Sequence, residues 1–383
     1  MKFPKFFYKK NYYIFFIIIS FFILYLISSN YMKSRYDEKI FLTAFDAGRY
    51  FASNFFDGEV SGKKTAWHLF FTYTLFIRFL IYFNLVNYYA EIQYFIFYLS
   101  SFFFYKSLVK FNFSKFTSFF ATLFIIINPF VIFWIQTINH AGLTISLLMF
   151  VMYFLSMYDE NYKFKVLFFI FIFLFLKIDG KVFFTTFMIL FYKFYLSIHE
   201  SKNFNLLLLI SFFLFYFLYL NHFAIGLELF SQSYLQSDIS SNKYISPLIN
   251  NDVIQTYYKC LLTIENSLQN HICAFLDNPI YSIKLYAARL FILLTWINSK
   301  LSLKYNFFAF GMMLFIYTGI TLNLLNSKFT KFTFFLLSSY FVTILIVLPY
   351  ILRGDQKQVF YGLVFIVPLA ISGFEILLKK KNK

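Results

Sequence analysis

Twelve nearly unbroken apolar stretches run through the chain, at roughly 11–31, 67–85, 88–107, 114–135, 139–158, 164–178, 181–198, 204–222, 285–298, 303–325, 328–350 and 356–378. A helix needs about 20 such residues to cross the hydrocarbon core, where lipid offers the backbone no hydrogen-bond partner. Repetition at this length points to an all-α polytopic membrane protein. Composition agrees: 60% of residues are hydrophobic and only 13% charged, with a mean hydropathy of +0.67. A soluble domain carries about a quarter charged residues. The 64 Phe and 32 Tyr accompany many Ile, Asn and Lys, a pattern of A/T-rich coding, so aromatic abundance alone does not mark a binding box.

The net charge of +17 resembles a nucleic-acid signature until the basic residues are placed. They cluster at the ends of apolar runs. Lys2, Lys5, Lys9 and Lys10 precede the first, and Lys379, Lys380, Lys381 and Lys383 follow the last. Under the positive-inside rule both termini are cytoplasmic and the span number is even, with a membrane rather than a nucleic acid as partner. The run 11–29 is too long for a signal-peptide core and reads as a retained signal anchor.

Twelve crossings would place Lys106, Lys110 and Lys115 outside and a loop of about sixty residues after 222 inside, against that rule. Two stretches are better read as interfacial or re-entrant: 67–85 carries Arg78 near its middle, and 285–298 is short and holds Arg289. A charge at the bilayer centre costs about 2.5–3.5 kcal/mol on insertion scales. The expectation is therefore about ten spans (range 10–12), with two extracytoplasmic loop regions carrying interfacial helices. The chain divides into an N-terminal membrane module, 1–222, with its first outer loop at 32–87; a second outer region, 223–302; and C-terminal helices, 303–383. Cys260 and Cys273 share the second outer region, as a disulfide or as two thiols; their spacing leaves both readings open.

There is no internal repeat, Gly-rich phosphate loop or Cys/His zinc spacing. The five His, at 68, 140, 199, 222 and 271, are scattered and suit helix ends better than metal ligands. The polar first loop holds Phe45-Asp46-Ala47-Gly48-Arg49-Tyr50, and later Asp57-Gly58-Glu59. By itself, Asp46 is either a loop carboxylate paired with Arg49 or a base at the membrane surface. Asn128-Pro129, Trp134, Gln136, Asn139 and His140 form a second polar group, Lys177-Ile178-Asp179-Gly180-Lys181 a third, and Arg353 to Lys357 a fourth.

The element FDAGRYFASNFFDGE resembles the first outer loop of the GT-C membrane glycosyltransferases, the group that includes protein O-mannosyltransferases and lipid A aminoarabinose transferases. The match rests on Asp46, Arg49 and Tyr50, then Gly58 and Glu59; Ala47 stands where a second acidic residue is expected. The later polar groups are similar to that family more weakly. The resemblance implies sugar transfer from a polyprenyl-phosphate donor to a glycan, lipid or protein acceptor at the outer face of a bacterial inner membrane. Asp46 would then be the base, accepting the acceptor hydroxyl's proton. Lys177, Lys181, Arg289, Arg353 and Lys357 would bind the donor phosphate, whose charge grows as it leaves. Arg49, Tyr50, Glu59, Asn139 and His140 would support the acceptor. No cofactor is expected, and a divalent cation held by Asp46 with Asp57 or Glu59 is not favoured, because loop spacing does not show oxygens converging. The competing readings are an O-antigen polymerase, a lipid-linked oligosaccharide flippase and a structural subunit. A flippase predicts buried charges and pseudo-symmetry that the chain lacks. A polymerase of this kind relies on outer-loop arginines, which are few here.

Overall fold

The computed structural model describes residues 71–136, 140–179, 182–199, 279–296, 303–327, 329–347 and 360–381, together with positions 18, 19, 22 and 276. Its described elements are all helical: α1 (Phe71–Tyr82), a 3-10 turn (Val86–Tyr88), α2 (Tyr89–Lys110), α3 (Lys115–Ile126), α4 (Pro129–Gln136), α5 (His140–Met157), α6 (Tyr162–Leu176), α7 (Phe183–His199), α8 (Pro279–Thr295), α9 (Leu303–Asn326), α10 (Lys331–Val347), a 3-10 turn (Phe360–Gly362) and α11 (Leu363–Lys381). Among the described residues, three helical stretches are long and apolar enough to cross a membrane: α5, α9 and Phe360–Lys380. The bent pair α3–α4 makes a fourth if it counts as one span. The stretches expected at 11–31, save positions 18, 19 and 22, and at 204–222 lie outside the described residues, as do Cys260 and Cys273.

Local chemistry sets the helix ends. Pro129 has no N–H to give and forces a break, and the Asn128 side chain accepts from the Phe130 amide at 3.0 Å, so α4 restarts at 54° to α3. Both α1 and α2 stop at an asparagine in left-handed backbone, Asn84 (φ 55°) and Asn112 (φ 65°). At the second, Phe113 N–H reaches Leu108 O at 3.0 Å and Asn112 N–H reaches Val109 O at 3.1 Å, which satisfies carbonyls that the helix end would orphan. Helix α8 begins earlier than the apolar run predicts, because Pro279 is preset for a first helical position.

The chain forms two compact units, each assembled from separated segments. The first, 1–186 with 316–337 and 360–383, is organised around α5, which is buried on nearly every side from Ala141 to Leu155. A helix apolar all round belongs in an interior. It packs most extensively on α2, and then on α6, α4 and α11. Gln93 meets Gly142, Ser100 and Ser101 lie 3.6 and 3.7 Å from the Met149 sulfur, Phe103 packs on Tyr153, and Lys110 pairs with Glu160. Both numberings rise together, so α2 and α5 are parallel. The bent α3–α4 pair must therefore carry the chain back between them.

Each end of this unit has its own chemistry. At one end lie Lys110–Glu160 and, on α11, Glu375, which accepts from Ser114 and from Thr117 at 2.6 Å and pairs with Lys379 at 2.6 Å. Ser114 caps α3, so the carboxylate also sits at a helix N-terminus, where the peptide dipoles favour negative charge. Phe111 stacks on Phe332 at 4.3 Å nearby. Helices α9 and α11 cross at glycines: a Cβ on Gly319 would lie 2.5 Å from the Ala370 carbonyl oxygen, so backbone meets backbone there. At the opposite end are the starts of α1, α2 and α5 and the turn after α6. Helix α1 begins against that turn, and its exit returns directly to Tyr89. Its 12 residues rise about 18 Å, short of a 30 Å hydrocarbon core.

In the second unit, 187–315 with 338–359, Phe187 and Phe191 stack at 6.2 Å on one side of α7, and Lys193 is buried. Helix α8 is stopped by fully buried Trp296, whose φ of 59° is left-handed.

Candidate functional site

The end of the first unit where α1, α2, α5 and the α6–α7 hairpin meet collects a connected set of polar side chains. Lys177 closes α6, its amide still bonded to Phe173 O at 3.0 Å. Thr72 then uses the carbonyls left over at that helix end: its amide donates to Lys177 O at 3.1 Å and its hydroxyl to Leu174 O at 2.8 Å. This docks α1 onto the hairpin. Two residues on, Asp179 is buried and its Oδ2 lies 3.0 Å from His140 Nε2 at the start of α5. Side-chain exposures of 14% and 9% leave this pair a narrow opening to the surroundings. A carboxylate bound to one ring nitrogen fixes the orientation of the imidazole and favours the proton on that nitrogen.

Tyr73 sets its ring edge-to-face on His140, with centroids 6.2 Å apart, and its hydroxyl lies 2.7 Å from that of Tyr89. Tyr89 in turn donates to the side-chain oxygen of Gln93. The Gln93 amide nitrogen is buried without a hydrogen-bond partner and rests on Gly142, where a Cβ would overlap it. Only glycine leaves room at 142 for the end of that row. The row Tyr73–Tyr89–Gln93 thus joins α1 to α2, and Gly142 seats it on α5.

Lys177 supplies positive charge beside this cluster. Burial holds its pKa down, to about 8 from the ordinary 10.5, because the charged ammonium loses water there. Its ammonium also lies 5.9 Å from the Phe173 ring. The site can therefore present a cation, an oriented imidazole and phenol hydroxyls at one end of the bundle. Among the described residues, no three His, Cys, Asp or Glu side chains converge on a position that could hold a metal.

Of the residues given a catalytic, phosphate-binding or acceptor role from the sequence, Lys177 and His140 have described side chains, and the His140–Asp179 contact brings their segments together. Asp46, Arg49, Tyr50, Glu59, Asn139, Lys181, Arg353 and Lys357 lie outside the described residues, and so do Asp57 and Gly58. Arg289 falls within α8, but its side chain lies outside the description. Asp179 looks in the sequence like a local counter-charge to Lys177 and Lys181; in the fold it reaches 39 residues back to His140. Sequence reasoning passes over Tyr73, Tyr89, Gln93 and Gly142. Gln93 leaves a trace, as an amide within an apolar run, but nothing in the sequence names its partners.

The chain matches no protein-family model, no curated protein and no solved structure.

Proposed function

We propose that the chain is a GT-C-like membrane glycosyltransferase of about ten spans, with both termini in the cytoplasm of a bacterium. It transfers a sugar from a polyprenyl-phosphate donor to a glycan, lipid or protein acceptor at the outer face of the inner membrane. The acceptor hydroxyl attacks the anomeric carbon, the bond from that carbon to the phosphate oxygen breaks, and Asp46 takes the hydroxyl proton. Lys177, with Lys181, Arg289, Arg353 and Lys357, holds the departing phosphate. His140, together with Arg49, Tyr50, Glu59 and Asn139, orients the acceptor.

One observation carries this reading. Two separate elements of the family resemblance, the segment ending at His140 and the hairpin beginning at Lys177, meet through the 3.0 Å His140–Asp179 contact at one end of the bundle. An inert bundle has no need to gather an imidazole–carboxylate pair and a partly buried lysine at one end. The lysine segments 106–115 and 379–380 sit at the other end, as a lipid-phosphate enzyme with its chemistry outside would arrange them.

The test is transfer of labelled sugar from a polyprenyl-phosphate donor by the full-length chain in proteoliposomes. Asp46→Asn keeps size and removes the base, and kcat is expected to fall about 10²–10⁴-fold. Lys177→Gln should mainly raise the donor KM. Wild-type turnover in Asp46→Asn would remove the proposed mechanism.

A further inference from the structure

Helix α1 holds a second feature that the transferase reading does not use. Its sequence, FTYTLFIRFLIY, is apolar but for its threonines, tyrosines and Arg78, and contains no acid. The Nε of Arg78 is buried without a hydrogen-bond partner. One turn earlier Thr74, 3% exposed, carries a hydroxyl that is also buried without a partner. Residues four apart on a helix are neighbours, with Cβ atoms about 5–6 Å apart. Two unsatisfied donors thus share one flank of α1.

Buried donors are nearly always paired, and a guanidinium in apolar surroundings calls for an anion. Among the described residues no acid pairs with Arg78: Asp179 is held by His140, Glu160 and Glu375 lie at the other end of the unit with Lys110 and Lys379, and Glu91 stands in the first turn of α2. At about 100° per residue, Thr74 stands about 160° and Arg78 about 120° around the axis from Thr72, which faces the Lys177 hairpin. This flank is therefore turned away from the site described above. Next to it, Leu75, Phe79 and Tyr82 form an exposed apolar strip.

We propose that Arg78 and Thr74 form a binding site for the phosphate of a membrane lipid, separate from the donor site and independent of the transferase reading. The planar guanidinium forks onto two phosphate oxygens, and the threonine hydroxyl donates to one of them. The acyl chains lie along Leu75, Phe79 and Tyr82. A cation and a hydroxyl beside an apolar strip match the two halves of such a lipid, whereas free phosphate would use only the first half.

The experiment titrates full-length protein in neutral detergent with phosphatidic acid and counts bound lipid by native mass spectrometry. Diacylglycerol with the same chains and inorganic phosphate serve as competitors. Arg78→Gln should weaken phosphatidic acid binding about tenfold and Thr74→Val about threefold, while Thr74→Ser, which keeps the hydroxyl, binds as wild type. Neither competitor should displace the lipid at equal concentration. Wild-type affinity in both Arg78→Gln and Thr74→Val overturns the proposal. Displacement by inorganic phosphate overturns its lipid half, and Thr74→Ser separates a lost contact from a misfolded chain.

Discussion

Gly142→Ala is the substitution whose consequence the geometry states most directly. The added Cβ would overlap the Gln93 amide nitrogen and lie 2.9 Å from Ile135 Cα, against 3.4–4 Å for ordinary contact. Gln93 is 0% exposed, so its amide has no solvent to retreat into. Moving it breaks the bond from Tyr89 and disturbs Tyr73, which packs on His140. Overpacking of this kind costs about 1–3 kcal/mol. The lost Tyr89–Gln93 hydrogen bond, within α2, is worth about 1 kcal/mol. Alanine's better helix propensity returns about 1 kcal/mol. The net expectation is a loss of about 1–3 kcal/mol. Shortening the opposing side chain removes the larger overlap but leaves the contact with Ile135. Gln93→Ala/Gly142→Ala should therefore be more stable than the sum of its singles by about 1–2 kcal/mol, yet less stable than Gln93→Ala alone. Equilibrium unfolding in micelles, followed by circular dichroism, measures all four species. Additivity within about 0.5 kcal/mol would mean that Gln93 does not rest on Gly142, and the joint between α2 and α5 would need another account.

Gly373→Ala should destabilise more than Gly142→Ala in the same assay, since its Cβ would overlap the Gly319 carbonyl and lie 2.7 Å from Asn323 N, backbone atoms that cannot rotate away; Gly311→Ala, with nothing within 4 Å, should be neutral or stabilising by up to about 1 kcal/mol. Equal effects at 311 and 373 would refute the close crossing of α9 and α11. Lys177 gives a pH signature: its pKa of about 8 means the ammonium is lost as pH rises through that value, so donor binding measured by isothermal titration should weaken above about 8, and Lys177→Arg should carry binding to higher pH. Stability moves the other way. Between about 8 and 10.5 the unfolded chain holds a proton that the folded chain does not, so this group makes folding more favourable as pH rises across the window. A binding curve flat to pH 10 would show Lys177 to be away from the anion.

Membrane-length apolar runs marked where the described helices lie but not where they end: the stretch expected at 114–135 is broken at Asn128–Pro129, α1 and α2 stop at Asn84 and Asn112, and α8 starts at Pro279, ahead of the run expected from 285. The lysines told which segments share an end of the bundle. What the sequence withheld is how each helix turns about its own axis. Helix α5 is apolar on every side, so its pattern does not mark the face that meets α2 or α6. Packing decided that Gln93 faces Gly142, that Asp179 meets His140 across 39 residues, and that Glu375 reaches Ser114 across 261. These contacts depend on shape and on satisfying buried donors and acceptors, and neither leaves a periodic mark along the chain.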